Sequence, residues 1–254
     1  DYYASRGLGD VYKRQPLYEE LKWEVFSCDY VQADETTVPV INREKHKADK
    51  EYLWMVRSVM EKLVIFHYDG GSRAGAVIES LANQYNFKGY LQCDGFAGYE
   101  TAFKTNPDVR LLNCLVHIRR HFEQALDENR EMAQHALTQI QHIYKIERQC
   151  DEAGLSYDER RQTRQELSRP IMEAMKVWME TEGIKYSPSS LTGKAITYAY
   201  TKWDNIMRCL DDGRLYWDNN LAENVQRPIT LSRKNFLFCG NHEAAVNMSV
   251  ICSL

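Results

Sequence analysis

Short runs of apolar and polar residues alternate in the first part of the chain. Alternating apolar and β-branched residues predict a strand over residues 30–40, with Asp34 inside it. A polar loop, NREKHKADK, follows this strand. Two apolar runs, YLWMVRSVM and KLVIFHY, then lie on either side of a tight polar joint around Glu61 and predict a β-hairpin. Together these segments predict three antiparallel strands in succession.

Helical and strand patterns alternate in the next segment. The turn DGGS ends at Ser72, a candidate N-cap, and the apolar spacing of RAGAVIESLANQY predicts a helix. GYLQCD predicts a strand that ends at Asp94, a short helix is expected over residues 98–104, and VRLLNCLVH predicts a further strand. The order β-β-β-α-β-α-β is typical of an α/β fold with a mixed sheet.

The pattern changes over residues 117–210, where long charged stretches with almost no glycine predict helices. The segment DERRQTRQELSR carries both signs of charge at i, i+3 and i, i+4 spacing, which predicts an exposed helix with salt bridges. Four aromatic residues are expected in the core of these helices, with platforms for base stacking as the alternative: Trp178, Tyr198, Tyr200 and Trp203. A further helix is predicted to begin at Asn220.

We expect the chain to have three parts. Residues 1–16 are polar and do not start with Met, and we interpret them as a disordered leader or a non-native remnant. Residues 17–116 and 211–254 are predicted to form one α/β core, which a helical insertion over residues 117–210 interrupts. The chain ends inside an apolar-rich stretch, VNMSVICSL, so we expect the natural chain to run on.

Composition and charge exclude several classes of protein. The chain is 44% hydrophobic, but no apolar run approaches the ~18 residues of a membrane span, which excludes an integral membrane protein and predicts a soluble one. We expect a cytoplasmic location and no membrane partner. Its 32 Lys and Arg against 36 Asp and Glu give a net charge of −4, so any polyanion must be bound by local basic patches. The seven cysteines are odd in number and contain no C-x-x-C pair, which argues against a disulfide framework or a four-cysteine zinc site.

Three carboxylates form the candidate chemistry: Asp34 in the first strand, Asp94 at the end of the fourth, and Glu223 in the first turn of a late helix. If the first and fourth strands are neighbours, the aspartates lie side by side and the helix adds the glutamate. Carboxylates held this close repel one another unless a cation lies between them, and Mg²⁺ is the expected ion. Each residue also has a purely structural interpretation. Asp34 could be a solvated strand residue, Asp94 a turn aspartate and Glu223 a helix-capping glutamate.

Five segments resemble the catalytic domain of DDE transposases of the insertion sequence 66 family: VQADETTVPV, GYLQCDGFAGY, CLVHIRRHF, SPSSLTGKAITYA and DGRLYWDNNLAENVQRPITLSRKNFLFCGNHEAA. The resemblance covers residues 17–254. It implies a ribonuclease-H-like mixed sheet flanked by helices, a large helical insertion before the glutamate, and Asp34, Asp94 and Glu223 as catalytic ligands of two Mg²⁺ ions, with Mn²⁺ as a substitute. The chain departs from the family in lacking the upstream end-recognition region and in having Leu115 where members typically have Trp.

Two further groups of residues are candidates for binding. Cys114, His117 and His121 form C-x₂-H-x₃-H, but no fourth ligand is evident, which makes zinc the weaker interpretation. The resemblance implies instead that His117 lies near the active site. Arg119 and Arg120 would then contact DNA phosphates or form a solvated helix face, and both interpretations stay open.

A basic run over residues 225–242 contains Arg227, Arg233 and Lys234 and no acidic residue. It is the expected contact with a DNA backbone, with scattered surface charge as the alternative.

The expected activity is bacterial DNA transposition: metal-dependent cleavage at transposon ends, then strand transfer into target DNA, by a chain that is a homodimer when bound to DNA. Two alternatives stay open. One is a nuclease of the same fold that hydrolyses DNA but never transfers strands. The other is an inactive, decayed transposase fragment that acts only as a DNA-binding or assembly module.

Overall fold

The computed structural model describes residues 2–232 and 235–254. They form a mixed α/β fold in which helices flank a five-stranded sheet. The chain divides into two units. The sheet unit comprises the residues up to Leu111 together with Asn219–Leu254, and the helical unit comprises Leu112–Asp218. The corresponding sequence predictions set these boundaries at residues 116–117 and 210–211.

The sheet has the strand order β3-β2-β1-β4-β5. Its strands are β1 (Tyr30–Asn42), β2 (Lys47–Ser58), β3 (Val64–His67), β4 (Gly89–Cys93) and β5 (Val109–Asn113). The first three strands pair antiparallel, as predicted. Strand β1 pairs parallel with β4, and the register places Gln32 opposite Gln92. The predicted mixed sheet is therefore confirmed, with the first and fourth strands as neighbours.

The β1–β2 connection is tighter than the sequence predicted. Asn42 pairs with Lys47, so the loop shrinks to four residues, and His46 takes a left-handed backbone conformation with φ 50°. Residues 47–50, expected in a polar loop, instead extend β2. Antiparallel pairing with residues 39–42 of β1 explains the difference, because main-chain hydrogen bonds can extend a strand through polar residues.

Apolar residues pack on both faces of the sheet. Along β2, Trp54 and Val56 belong to one buried cluster, whereas Leu53 and Met55 belong to another. This alternation follows from the two-residue period of a strand, which turns successive side chains to opposite faces. The sheet is thus buried on both faces at β2, which is why residues 52–56 form a continuous apolar run.

Helix α1 (Tyr2–Ser27) precedes the sheet and was not predicted. The structure makes residues 2–16 helical, where the sequence suggested a disordered leader. The side chain of Tyr18 is buried, and its hydroxyl donates a 2.6 Å hydrogen bond to the Phe66 carbonyl in β3. Docking on the sheet stabilises a helix that contains Pro16 and shows little amphipathic pattern of its own.

The remaining helices of the sheet unit are α2 (Ala76–Gln84), α3 (Ala97–Phe103), α9 (Asn220–Ser232) and α10 (His242–Ser253). Three predicted helices are confirmed: the one after the DGGS turn, the one over residues 98–104 and the one that begins at Asn220. Ser72, however, is not the N-cap of α2. That position is Gly75, and the Ser72 hydroxyl accepts from the Ala74 amide within the preceding turn.

The helical unit consists of α4 (Leu115–Ala125), α5 (Arg130–Glu152), α6 (Tyr157–Thr163), a π-helical segment (Arg164–Ser168), α7 (Arg169–Gly183), α8 (Leu191–Met207) and a 3₁₀ turn (Arg208–Leu210). The strand predicted from VRLLNCLVH ends at Asn113, so His117 lies on a helix. The long helix predicted after it is interrupted at Asn129, whose side chain caps α5 by accepting from the Met132 amide.

Two predictions for this unit need correction. Arg164, expected on an exposed face, is 1% exposed, and its guanidinium binds Glu147 and the carbonyls of Cys209, Asp212 and Leu215. Tyr200, expected in the core, is 44% exposed. Both errors have one cause: the neighbouring helices and loop that decide burial are distant in sequence.

Among the described residues, no helix combines the length and the apolar character that crossing a membrane requires.

Candidate active site

Parallel pairing of β1 with β4 brings two of the three predicted carboxylates to one region of the sheet. Asp34 and Asp94 each lie two residues beyond the register pair Gln32 and Gln92. Because neighbouring strands lie about 4.8 Å apart, equivalent positions on adjacent parallel strands bring their side chains close together. Asp34 is inside β1, whereas Asp94 is the first residue after β4, and both are half-buried.

Helix α9 carries Glu223 in its first turn. Two hydrogen bonds attach this turn to the sheet. The Ala222 amide donates to Oε1 of Gln32 at 3.1 Å, and Nη1 of Arg57 donates to the Leu221 carbonyl at 3.2 Å. The Glu223 amide donates to the Asn219 carbonyl at 3.1 Å, which closes the first helical turn. Ala222, the residue before Glu223, is therefore hydrogen-bonded to Gln32, which lies two residues before Asp34.

The charge on Asp34 is unfavourable in this environment. Its pKa is raised to about 8, mainly by burial and then by the carboxylates of Glu35, Asp94 and Glu223. A hydrogen bond from the Glu35 amide acts in the opposite direction. Asp94 and Glu223 thus both act electrostatically on Asp34, a repulsion that a bound cation would relieve.

Each aspartate is also held by a backbone amide. Oδ1 of Asp34 accepts from the Glu35 amide at 2.9 Å. Oδ1 of Asp94 accepts from the Phe96 amide at 2.8 Å, so Asp94 forms the turn that its structural interpretation predicted. These bonds orient one oxygen of each carboxylate, and a turn role and a ligand role for Asp94 are compatible.

The donor set fits a hard divalent cation in its chemistry, because it consists of carboxylate oxygens. Among the residues that the structure describes, no group of three or more His, Cys, Asp or Glu side chains is arranged to hold a metal ion. The three carboxylates therefore do not form a three-ligand cluster as they stand. A site formed by Asp34 together with either Asp94 or Glu223 remains compatible with this finding.

A fourth carboxylate beside Asp34 was missed by the sequence analysis. The side chain of Glu35 is 2% exposed, and its Oε1 lies 2.7 Å from Nη2 of Arg73, while the Tyr99 hydroxyl donates to its Oε2 at 3.1 Å. Burial, the largest cause, keeps the pKa of Glu35 above its ordinary value despite these partners. The Arg73 guanidinium also stacks over the Phe96 ring, 4.2 Å from its centroid. Asp34 is thus followed by an ion pair whose carboxylate is buried and whose guanidinium is partly exposed.

A family model described as Transposase IS66 family matches residues 11–247. The chain belongs to this transposase family. The resemblance predicted from the sequence segments is confirmed, and membership supports a transposase-related role. The match begins inside the segment interpreted as a leader.

Curated relatives from Sinorhizobium fredii (strain NBRC 101917 / NGR234) are also similar. The uncharacterized protein y4qI is 29% identical over 96% of this chain and 47% of its own length. The uncharacterized proteins y4hP and y4jD are 27% and 28% identical, each over 94% of this chain and over 46% and 48% of their lengths. The chain therefore spans about half the length of the curated relatives it matches.

The predicted DNA-binding residues are spread over both units. His117, Arg119 and Arg120 lie on α4 of the helical unit, where Arg119 forms a 2.9 Å salt bridge with Glu123 one turn along. His121 stacks on Tyr198, with ring centroids 4.1 Å apart.

The basic run after Glu223 is described only in part. Arg227 lies on α9 and is exposed. Arg233 and Lys234 lie outside the described residues, so the structure does not test their predicted role.

Proposed function

We propose that this chain is the catalytic part of a transposase that cleaves DNA and transfers the cut strand with the help of divalent metal ions. Family membership supports the transposase role. The observation that carries the chemical proposal is the parallel register of β1 and β4, which sets Asp34 and Asp94 at equivalent positions, with α9 bonded to Gln32 beside them. A shared cation would offset the repulsion that Asp94 and Glu223 exert on Asp34.

The topology supports a ribonuclease-H-like core as the finer description of the fold. Three antiparallel strands are followed by a parallel pairing of the first strand with the fourth, in the order β3-β2-β1-β4-β5. The helical unit lies in sequence between Asp94 and Glu223. Under this proposal it is an insertion into the core, since the chain returns to the sheet unit at Asn219.

The three carboxylates would divide the binding of two Mg²⁺ ions. Asp34 would contribute to both sites, with Asp94 completing one and Glu223 the other. Ions held in this way would stabilise the attacking and leaving oxygens of an in-line displacement at phosphorus. The backbone amides of Glu35 and Phe96 each hold one oxygen of Asp34 and Asp94, which orients the two carboxylates that would bind the ions.

DNA would be bound by basic residues outside the carboxylate group. Arg227 on α9 and Arg119 and Arg120 on α4 are the described candidates, and each would contact phosphate rather than bases. We propose that the chain acts as a homodimer on DNA, which light scattering with and without a duplex would test.

One observation favours a second candidate function. Because the carboxylates do not form a three-ligand cluster as they stand, the chain could be a non-catalytic DNA-binding or assembly module. A nuclease that hydrolyses DNA without transferring strands is the third candidate. The three differ in their products, so one assay distinguishes them.

The assay uses a supercoiled plasmid that carries the ends of the element, with Mg²⁺ or Mn²⁺. The wild-type chain is expected to nick and to give strand-transfer products, whereas Asp34→Asn, Asp94→Asn and Glu223→Gln abolish both and leave the circular dichroism spectrum unchanged. Glu20→Gln, an exposed carboxylate on α1, is the matched control. Nicking without transfer identifies the nuclease, and DNA binding without nicking by the wild type identifies the non-catalytic module.

A further inference from the structure

A network of fully buried side-chain amides lies two residues before Asp34 and Asp94 in the chain. Gln32 in β1 and Gln92 in β4 are both 0% exposed. Nε2 of Gln32 donates to Oε1 of Gln92 at 2.7 Å, and the Tyr30 hydroxyl donates to the same oxygen at 2.6 Å. The other end of the Gln32 amide, Oε1, accepts from the Ala222 amide in α9 at 3.1 Å. One side chain thus connects β1, β4 and α9.

One proposed metal ligand lies close to each contact of the network: Asp34 in β1, Asp94 directly after β4, and Glu223 in α9. Gln32 is two residues before Asp34, and Gln92 is two residues before Asp94. Side chains two apart on a strand share a face, so Gln32 and Asp34 lie on the same face of β1. Ala222 is adjacent to Glu223. The network therefore links β1, β4 and α9 through residues that lie one or two positions before the carboxylates in the chain.

The orientation of the Gln32 amide is determined by its partners. The Ala222 amide can only donate, so the Gln32 atom that faces it must be the oxygen Oε1. The opposite atom is then the donor Nε2, which requires an acceptor, and Oε1 of Gln92 accepts from it and from the Tyr30 hydroxyl. Burying two primary amides is costly unless they are hydrogen-bonded, so the network selects one arrangement of the three elements.

We propose that Gln32 is a positioning residue that sets the spacing of Asp34, Asp94 and Glu223 by fixing α9 and β4 to β1. This inference rests on the proposed function for its consequence in catalysis. It assigns to Gln32 no contact with DNA or metal. Methionine has nearly the shape of glutamine but neither donates nor accepts at its end, so Gln32→Met removes the bridge with little change in packing.

The test uses two readouts that do not depend on DNA cleavage. In Gln32→Met, the amide proton of Ala222 is expected to exchange with solvent about fivefold faster, because its buried side-chain acceptor is lost and only the Asn219 carbonyl, at 2.9 Å, remains. Binding of Mn²⁺, followed by its electron paramagnetic resonance signal, is expected to weaken by about tenfold or more, the usual effect of changing a residue that holds ligands in place.

Tyr18→Phe is the matched control. It removes one buried 2.6 Å hydrogen bond of the sheet unit, between α1 and β3, without touching β1, β4 or α9. It is expected to lower the melting temperature while leaving Ala222 exchange and Mn²⁺ affinity unchanged. A Gln32→Met, Gln92→Met double variant is expected to bind Mn²⁺ no more weakly than the worse single variant, since both changes break one bridge.

Two results would overturn the proposal. Unchanged Ala222 exchange in Gln32→Met would mean that the bridge does not hold α9. Faster exchange with wild-type Mn²⁺ affinity would mean that the bridge is structural only. A wild-type chain that binds Mn²⁺ without nicking DNA would count against the proposed function, but the positioning role of Gln32 would still be decided by the two readouts.

Discussion

Nη2 of Arg73 lies 2.7 Å from Oε1 of Glu35, and Glu35 is the residue next to Asp34 in β1. Arg73 thus neutralises the charge of Glu35 next to Asp34, whose own ionisation is unfavourable. The negative charge of Asp94 contributes to raising the pKa of both Glu35 and Arg73, so the ion pair interacts electrostatically with Asp94. The ion pair keeps one negative charge of this region compensated without any metal ion.

Replacing Arg73 with Met is expected to lower the free energy of unfolding by about 1–2 kcal/mol, because Glu35 is left buried without its cation. Arg73 is 45% exposed, so solvent reduces the loss below that of a fully buried pair. Urea unfolding followed by circular dichroism measures the change. The double variant Glu35→Gln, Arg73→Met should recover part of the loss, and equal losses in the single and double variants would contradict this account.

The stability of the metal-free protein is expected to fall as pH rises from about 4 to about 8. The pKa of Asp34 is about 8 in the folded protein, whereas an unfolded aspartate titrates near 3.9, so the folded state binds the extra proton in this interval. Asp34→Asn removes this dependence and should stabilise the chain at pH 8 by on the order of 2 kcal/mol.

Thermal unfolding in the presence of a chelator, at pH 4.5 and pH 8, measures this effect. Wild type and Asp34→Asn should melt closest together at the lower pH. Glu20→Gln is the control for removing one exposed carboxylate. An Asp34→Asn variant that melts below the wild type at pH 8 would show that the buried carboxylate is not a source of strain.

Arg164→Met is expected to destabilise the helical unit by about 3 kcal/mol or more. The guanidinium is 1% exposed, and its removal leaves Glu147 and three carbonyls of residues 209–215 without their shared donor. Arg161→Met, an exposed change three residues earlier, is the matched control and should stay within about 0.5 kcal/mol of the wild type. Urea unfolding compares the two, and equal midpoints would refute the structural role of Arg164.

Arg227→Ala is expected to weaken binding to duplex DNA by a similar factor for all sequences, because an exposed arginine on α9 would contact phosphate. The slope of log K against log salt should fall by about 1. Fluorescence anisotropy over a range of salt concentrations measures the slope. Arg14→Ala, on the exposed side of α1, should leave it unchanged, and an identical slope for both variants would exclude Arg227 from the interface.

Local patterns predicted the elements that carry the candidate site. Alternating residues identified β1 around Asp34, a buried apolar run identified β4 before Asp94, and the first turn of α9 was recognised at Asn220. Helix α1 was missed because its residues lack a clear amphipathic period and include Pro16. The exposed face predicted for Arg164 was wrong because a charged residue in a charged segment carries no local sign of burial.

The sequence by itself determined the strand and helix types around Asp34, Asp94 and Glu223, because hydrophobic periodicity is a local property of the chain. Family membership followed from the same segments. The tertiary structure alone decided that β1 lies beside β4, that Arg73 pairs with Glu35, and that Gln32 joins Gln92 to Ala222, 60 and 190 residues away. Such contacts depend on the register and docking of distant segments, and a single glutamine in a strand shows neither.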